Sequence, residues 1–208
     1  MLPDIRKIAS VKRERRTTRL ILGLIYSLYN GVIGLLSNSV WHISIAVYYT
    51  LLLAIKFIVY SRLKGKNNDK ISTKAFIITT VLLFLISLSL IVPVILMLNY
   101  ERPVLFTLEI AIAIATYTTY KVTMAVIAFI KKWRTDNMLI AEIVSISMIE
   151  AIVSLLTLQN TLIAVNDGVG DSGLLILSTV SSTVGLAAIL YLVLRLILLY
   201  FRSQKACE

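Results

Sequence analysis

The chain is poor in the residues that build reactive and cross-linked sites. It holds one cysteine, Cys207, and one histidine, His42. A single cysteine forms no intrachain disulfide and no cysteine metal site, and an HExxH zinc site needs two histidines. A Gly-rich phosphate loop is also missing, because "NDGVGDSG" is a short turn ahead of an apolar run. No serine–histidine pair is suited to nucleophilic catalysis. These absences exclude the common enzyme classes. The chain reads as a non-enzyme with no cofactor and no bound metal, and His42 reads as an interfacial side chain at the start of a helix.

Acidic residues are scarce too: 11, against 21 Lys and Arg, for a formal net charge of +10. What is abundant is apolar sequence. Hydrophobic residues make up 58% of the chain, and the mean hydropathy is +0.88. They fall in long runs, which identifies an integral membrane protein rather than a soluble domain. A nucleic-acid partner is therefore not expected. The partner implied is the lipid bilayer.

Six runs are long enough to cross a hydrocarbon core of ~30 Å. They cover roughly 19–38, 40–60, 74–98, 103–130, 138–165 and 173–201. The fold class expected is an all-α bundle of six transmembrane helices. Residues 1–18 read as a basic tail, 19–201 as the transmembrane domain and 202–208 as a second tail. The basic start resembles a signal peptide's n-region, but the following apolar run is too long and lacks an A-x-A site.

The basic residues are one-sided. Arg6, Lys7, Lys12, Arg13, Arg15, Arg16 and Arg19 precede the first run. Arg62, Lys64, Lys66, Lys70 and Lys74 lie between the second and third, and Lys131, Lys132 and Arg134 between the fourth and fifth. Arg202 and Lys205 follow the last. The alternate loops hold only Arg102. By the positive-inside rule both termini are expected in the cytoplasm and the chain in the cell membrane. Trp41, Tyr60, Tyr100, Trp133 and Tyr200 read as an interfacial aromatic belt. Pro93 predicts a kink in the third run.

Two faces carry small residues at helical spacing: Gly23, Ser27 and Gly31 on the first run, and Ser178, Ser182 and Gly185 on the sixth. Such faces let membrane helices approach closely. They suit packing within the chain, or docking of a second copy or a partner subunit.

Charged residues inside the runs cost ~2.5–3.5 kcal/mol each at a helix centre. Lys56 and Arg195 are near enough to the cytoplasmic side to be read as snorkelling. Glu142 is about one turn inside and is expected to stay solvated or to pair with Lys56 or Arg195. Lys121 and Glu150 lie deeper and at similar depth, so they are expected to meet inside the bundle. Glu109, Ala113, Tyr117 and Lys121 follow each other at i+4, with Tyr120 alongside. This stripe, with Glu142 and Glu150 on the next run, is expected to line a substrate or ion pathway. The alternative is a buried ion pair that locks helix register.

"YSLYNGVIGLL" in the first run and "YTTYKVTMAVI" in the fourth align Tyr26 with Tyr117, Tyr29 with Tyr120 and Asn30 with Lys121. With three helices per half this predicts a 3+3 inverted-topology repeat, as in many secondary transporters.

Residues 34–57, "GLLSNSVWHISIAVYYTLLLAIKF", and 136–158, "DNMLIAEIVSISMIEAIVSLLTL", resemble helices two and five of cation diffusion facilitator transporters. The resemblance implies a six-helix fold with both termini inside. In that family carboxylates and histidine one turn apart on those helices bind the metal. The matching positions here are Ile45, Tyr49, Ile146 and Glu150, of which only Glu150 can ligate a cation. The short 202–208 stretch offers no counterpart to the family's cytoplasmic domain. The resemblance thus implies a fold and argues against zinc transport. The functional expectation is a small permease or secondary transporter of unassigned solute. The alternative is a non-transporting accessory or substrate-binding subunit of a membrane complex.

Overall fold

The structure is a computed structural model that describes residues 5–64, 69–91, 95, 108–133, 135, 137–165 and 172–205. Among these residues it is all-helical, with α1 (Ile5–Leu36), α2 (Val40–Lys64), α3 (Asp69–Ser89), α4 (Leu108–Lys132), α5 (Met138–Val165) and α6 (Ser172–Lys205). Four stretches are long and apolar enough to cross a membrane: Val40–Arg62, Leu108–Lys132, Met138–Ile163 and Ile176–Arg202. Leu20–Leu36 and Phe76–Ser89 are apolar but shorter. Pro93, Tyr100 and Arg102 lie outside the described residues, and so does the end of the third predicted run.

The basic stretch read as a tail is helical from Ile5 and continuous with the first apolar run. Its Lys, Arg and Glu residues are good helix formers, so the helix extends past the apolar boundary.

Short turns fix the hairpins. At the α1–α2 turn Asn38 has φ 48°, a left-handed conformation that asparagine tolerates. Gly34 sits where a Cβ would come within 2.7 Å of the Ile43 backbone nitrogen, so the turn requires glycine there. Ser39 then caps α2, and Asn137 caps α5 by accepting the Ile140 N–H at 3.2 Å.

The pairing of helices positions everything that follows. α1 packs on α2, α4 on α5, and α5 on α6. Across the middle, α2 packs on α5 and α3 on α6, with α3 also touching α2 and α5. The central helix is α5. Its small residues Ala141, Ser145, Ala151 and Ser154 are buried and let several neighbours come close. The α4 helix is peripheral and buries only a narrow face of Ala111, Ile114, Thr118 and Ala125. The core between α2 and α5 holds Ile45, Tyr49, Leu52, Ile55, Ile146 and Ile149. Trp41, expected in an interfacial belt, is 1% exposed and belongs to this core. It lies at the start of α2, just after the tight α1–α2 turn.

The small-residue faces pack within the chain. On α1, a Cβ at Gly23 would meet Leu53 Cδ2 at 2.8 Å, and one at Gly31 would meet Ala46 at 3.6 Å. Ser27 donates to the Ala46 carbonyl at 2.9 Å and bonds the Thr50 hydroxyl at 2.8 Å. On α6, Gly185 faces Ile152 and Leu156 of α5, with Ser178 and Ser182 buried on the same helix.

Candidate functional site

Three charged side chains converge where α2, α4 and α5 meet. Lys121 stands near the middle of α4, and Glu150 near the middle of α5. Lys121 Nζ is 3.0 Å from Glu150 Oε1. The sequence paired these two, and the structure brings them together. It also adds a third member. Lys56 of α2 donates to Glu150 Oε2 and is buried. Lys56 was expected to snorkel outward. Its four-carbon stem instead reaches inward to Glu150, because the carboxylate offers an anionic partner that lipid does not.

The side chains of Lys56, Glu150 and Lys121 are 7%, 6% and 11% exposed. Two lysine amines therefore share one carboxylate, and with both protonated the centre would carry one excess positive charge. Lys121 meets Glu150 as an ion pair whose angle falls outside good hydrogen-bond geometry. Aromatic faces supply part of the compensation. The Lys121 ammonium is 4.4 Å from the Tyr49 ring centroid, 5.3 Å from Tyr26 and 5.4 Å from Tyr117. Each such contact is worth ~2 kcal/mol when desolvated. Tyr26 meets Tyr49 edge-on at 5.0 Å and Tyr117 at 5.4 Å, so the three rings form one wall. The Tyr49 hydroxyl is held by Ser154 at 2.6 Å, which fixes the ring beneath the ammonium.

The i+4 stripe on α4 needs correction. Steps of four advance a helix by about 40°, so Glu109 and Lys121 face directions about 120° apart. Glu109 and Ala113 are exposed, Tyr117 is half-buried, and Tyr120 is 54% exposed. Only the Tyr117–Lys121 end of the stripe reaches the interior. Tyr120 still lines the space beside Lys121.

Glu142 forms a separate cluster. Arg62 Nη2 donates to both carboxylate oxygens at 3.1 Å, and the Thr79 hydroxyl donates to Glu142 Oε1. The partner expected was Lys56 or Arg195. Lys56 is taken by Glu150, while the Arg195 guanidinium stacks 3.5 Å from the Trp133 ring centroid and donates to its carbonyl. Arg62 was assigned to a loop, but α2 continues to Lys64 and carries it to Glu142.

His42 is buried rather than interfacial, and its Nδ1 is 2.9 Å from the Ser39 hydroxyl. The spacing explains this serine–histidine contact: Ser39 is the N-cap of α2, and the third helical residue falls within its reach. Among the described residues no group of three or more His, Cys, Asp and Glu side chains gathers as a metal site would require.

Two neighbouring spaces open beside α1 and α4, whose backbones stay apart. The first is a cavity of about 50 Å³ lined by Lys56, Lys121, Glu150, Tyr120 and Ser147. A water needs ~10–15 Å³ of such volume, so it has room for a few waters among polar partners. The second is an apolar groove of about 280 Å³ lined by Ile25, Tyr26, Tyr29, Ile110 and Ile114. Leu22 and Tyr117 border both.

No protein-family model, no curated protein and no solved structure matches the chain.

Proposed function

We propose that the chain is a small permease-like protein of the cell membrane, with the Lys56–Glu150–Lys121 centre as its translocation site. The observation that carries this reading is the charge imbalance beside a water-sized cavity. A register lock needs one balanced pair, and Arg62–Glu142 already provides such a pair. At 3.0 Å and an effective dielectric of ~20, the Lys121–Glu150 attraction is roughly 5–6 kcal/mol. Desolvation costs several kcal/mol per ion, and Lys56 and Lys121 both draw on the Glu150 carboxylate. A centre that contributes so little to stability is better explained by a ligand it receives. The solute class favoured is anionic, and the reading is non-enzymatic.

Six spans, cytoplasmic termini and a 3+3 inverted repeat belong to the same proposal. The pairing of helices supports the repeat, except that α3–α5 has no α6–α2 counterpart among the described residues. Exchanging α1 with α4, α2 with α5 and α3 with α6 maps α1–α2 packing onto α4–α5 and α2–α3 onto α5–α6. The α2–α5 and α3–α6 contacts map onto themselves, as pairs on a two-fold axis do. Tyr26 and Tyr117, aligned in sequence, touch each other in this scheme. The likeness to cation diffusion facilitators is kept for the fold alone. At the α2–α5 interface Tyr49 bonds Ser154 and Glu150 holds two ammoniums, so a cation would compete with resident positive charge.

A second reading rests on a different place. Between α1 and α2 a groove of about 390 Å³ is lined by Ser27, Gly31, Ala46 and Thr50. A close-packing helix of a partner subunit would fit it, which suits an accessory or substrate-binding subunit of a membrane complex.

The test is uptake of a panel of labelled organic anions into proteoliposomes holding wild type, Lys121→Ala or Glu150→Ala. The permease reading expects uptake by wild type and its loss in both variants. Uptake equal in all three proteins removes the centre as the pathway, and no uptake by wild type favours the accessory reading.

A further inference from the structure

We propose that the crevice between α1 and α4 binds a long-chain carboxylate taken from the bilayer, with its headgroup at Lys121 and its chain in the apolar groove. This names a ligand class for the centre described above and rests on that centre being a ligand site.

Four observations converge on it. The first is charge. Lys56 of α2, Lys121 of α4 and Glu150 of α5 are the charged groups at the cavity, and α1 contributes only Leu22 there. One monoanion brings this set to neutrality. Glu142, the other buried carboxylate among the described residues, is engaged by Arg62 and Thr79.

The second is donor capacity. Lys121 has three N–H groups, and its one polar contact among the described residues is the ion pair to Glu150 Oε1, which leaves donor capacity unused. A carboxylate oxygen is the acceptor such an ammonium bonds most strongly.

The third is size. About 50 Å³ holds the equivalent of a few waters, which suits the three heavy atoms of a carboxylate. A glycerophosphate headgroup is several times larger. Inorganic anions would fit, but they have no use for the adjoining groove.

The fourth is access. The groove is walled by Ile25, Ile110 and Ile114 and runs from Tyr117 towards Tyr29 and Ile110. From Lys121 to Ile110 along α4 is roughly 16 Å at ~1.5 Å per residue. Its mouth lies between two helices whose backbones stay apart and which meet through Tyr26 and Tyr117, and Ile25 and Ile110 are exposed at its sides. A ligand using this path arrives sideways through apolar surface, so it must carry a chain.

The experiment is displacement of a fluorescent fatty acid, cis-parinaric acid, from purified protein in nanodiscs of neutral lipid. Oleate, oleyl alcohol and inorganic phosphate are the competitors. We expect oleate to displace the probe and the other two to leave it bound. Lys121→Met is expected to bind oleate about tenfold or more weakly, and Lys121→Arg to restore binding. Ile114→Trp fills the groove without altering any charge and is expected to lose binding as well, which covers the case in which Lys121→Met does not fold. Oleyl alcohol competing as well as oleate would overturn the proposal, as would Lys121→Met or Ile114→Trp binding like wild type. Oleate binding without anion uptake in proteoliposomes would sink the permease reading and leave the ligand assignment standing. Lys121-dependent uptake of short organic anions with no oleate binding would do the reverse.

Discussion

Lys121 of α4 and Lys56 of α2 both terminate on Glu150 of α5, one on each carboxylate oxygen. Among the described residues, Glu150 is thus the acidic side chain that separates the two buried lysine amines. This arrangement makes the three residues unequal.

Glu150→Gln is predicted to be the most damaging single change in the centre. It keeps the shape and leaves two buried positive charges facing each other. A loss of about 3–5 kcal/mol is expected, the range for removing one partner of a buried pair. Lys56→Met made in the Glu150→Gln background should recover part of that loss, since it removes one of the two ammoniums. Unfolding in a single detergent, followed by helical circular dichroism, reads both effects. A Glu150→Gln protein as stable as wild type would contradict the assignment of charge.

The glycines of α1 should differ in tolerance. A methyl at Gly31 meets Ala46 at an ordinary 3.6 Å, so Gly31→Ala should leave stability within about 0.5 kcal/mol. Gly34→Ala drives a methyl against the Ile43 backbone and should cost about 1–3 kcal/mol. Gly23→Ile pushes into Leu53 and towards Glu150, and should lower both stability and ligand binding. The order of melting temperatures across these variants is the readout.

Arg62 and Glu142 should be coupled to each other and not to the centre. A double-mutant cycle with Arg62→Met and Glu142→Gln is expected to give an interaction energy of about 0.5–3 kcal/mol. A cycle between Arg62→Met and Lys121→Met should be additive within about 0.5 kcal/mol. Strong coupling in the second cycle would mean that the two charged clusters form one network.

Tyr49 separates ring from hydroxyl. Tyr49→Phe loses the bond to Ser154 and keeps the ring 4.4 Å from the Lys121 ammonium, so a cost of about 1 kcal/mol is expected. Tyr49→Leu loses the aromatic face as well and should cost more, with weaker anion binding. Equal effects of the two substitutions would show that the ring does not support the ammonium.

Much of this was legible in the sequence because the signals were long and redundant. Apolar runs with basic flanks give helices, and Lys121 and Glu150 sit at matching depths on neighbouring runs. What stayed hidden depended on helix rotation and on tertiary pairing. A spacing of four hides about 40° of drift per step, so Glu109 looked aligned with Lys121 and is not. Lys56 is near enough to a helix end to snorkel, and only the α2–α5 pairing shows that its stem turns inward. Arg62 was masked by a helix boundary placed a few residues early. Trp41 resembled an interfacial anchor because nothing local records that tertiary packing buries it.

The central claim is that a hydrated, net cationic cavity lies inside the bundle. It is tested most directly by thiol labelling of Ser147→Cys, a cavity-lining position, in a Cys207→Ser background in proteoliposomes. Thr116→Cys on the exposed face of α4 is the reference. Two small thiosulfonates of similar size are compared, one with an anionic sulfonate and one with a quaternary ammonium. The account predicts that Ser147→Cys reacts, that the anionic reagent reacts faster, and that Lys121→Met removes the difference. No reaction at Ser147→Cys, or faster reaction with the cationic reagent, would contradict it.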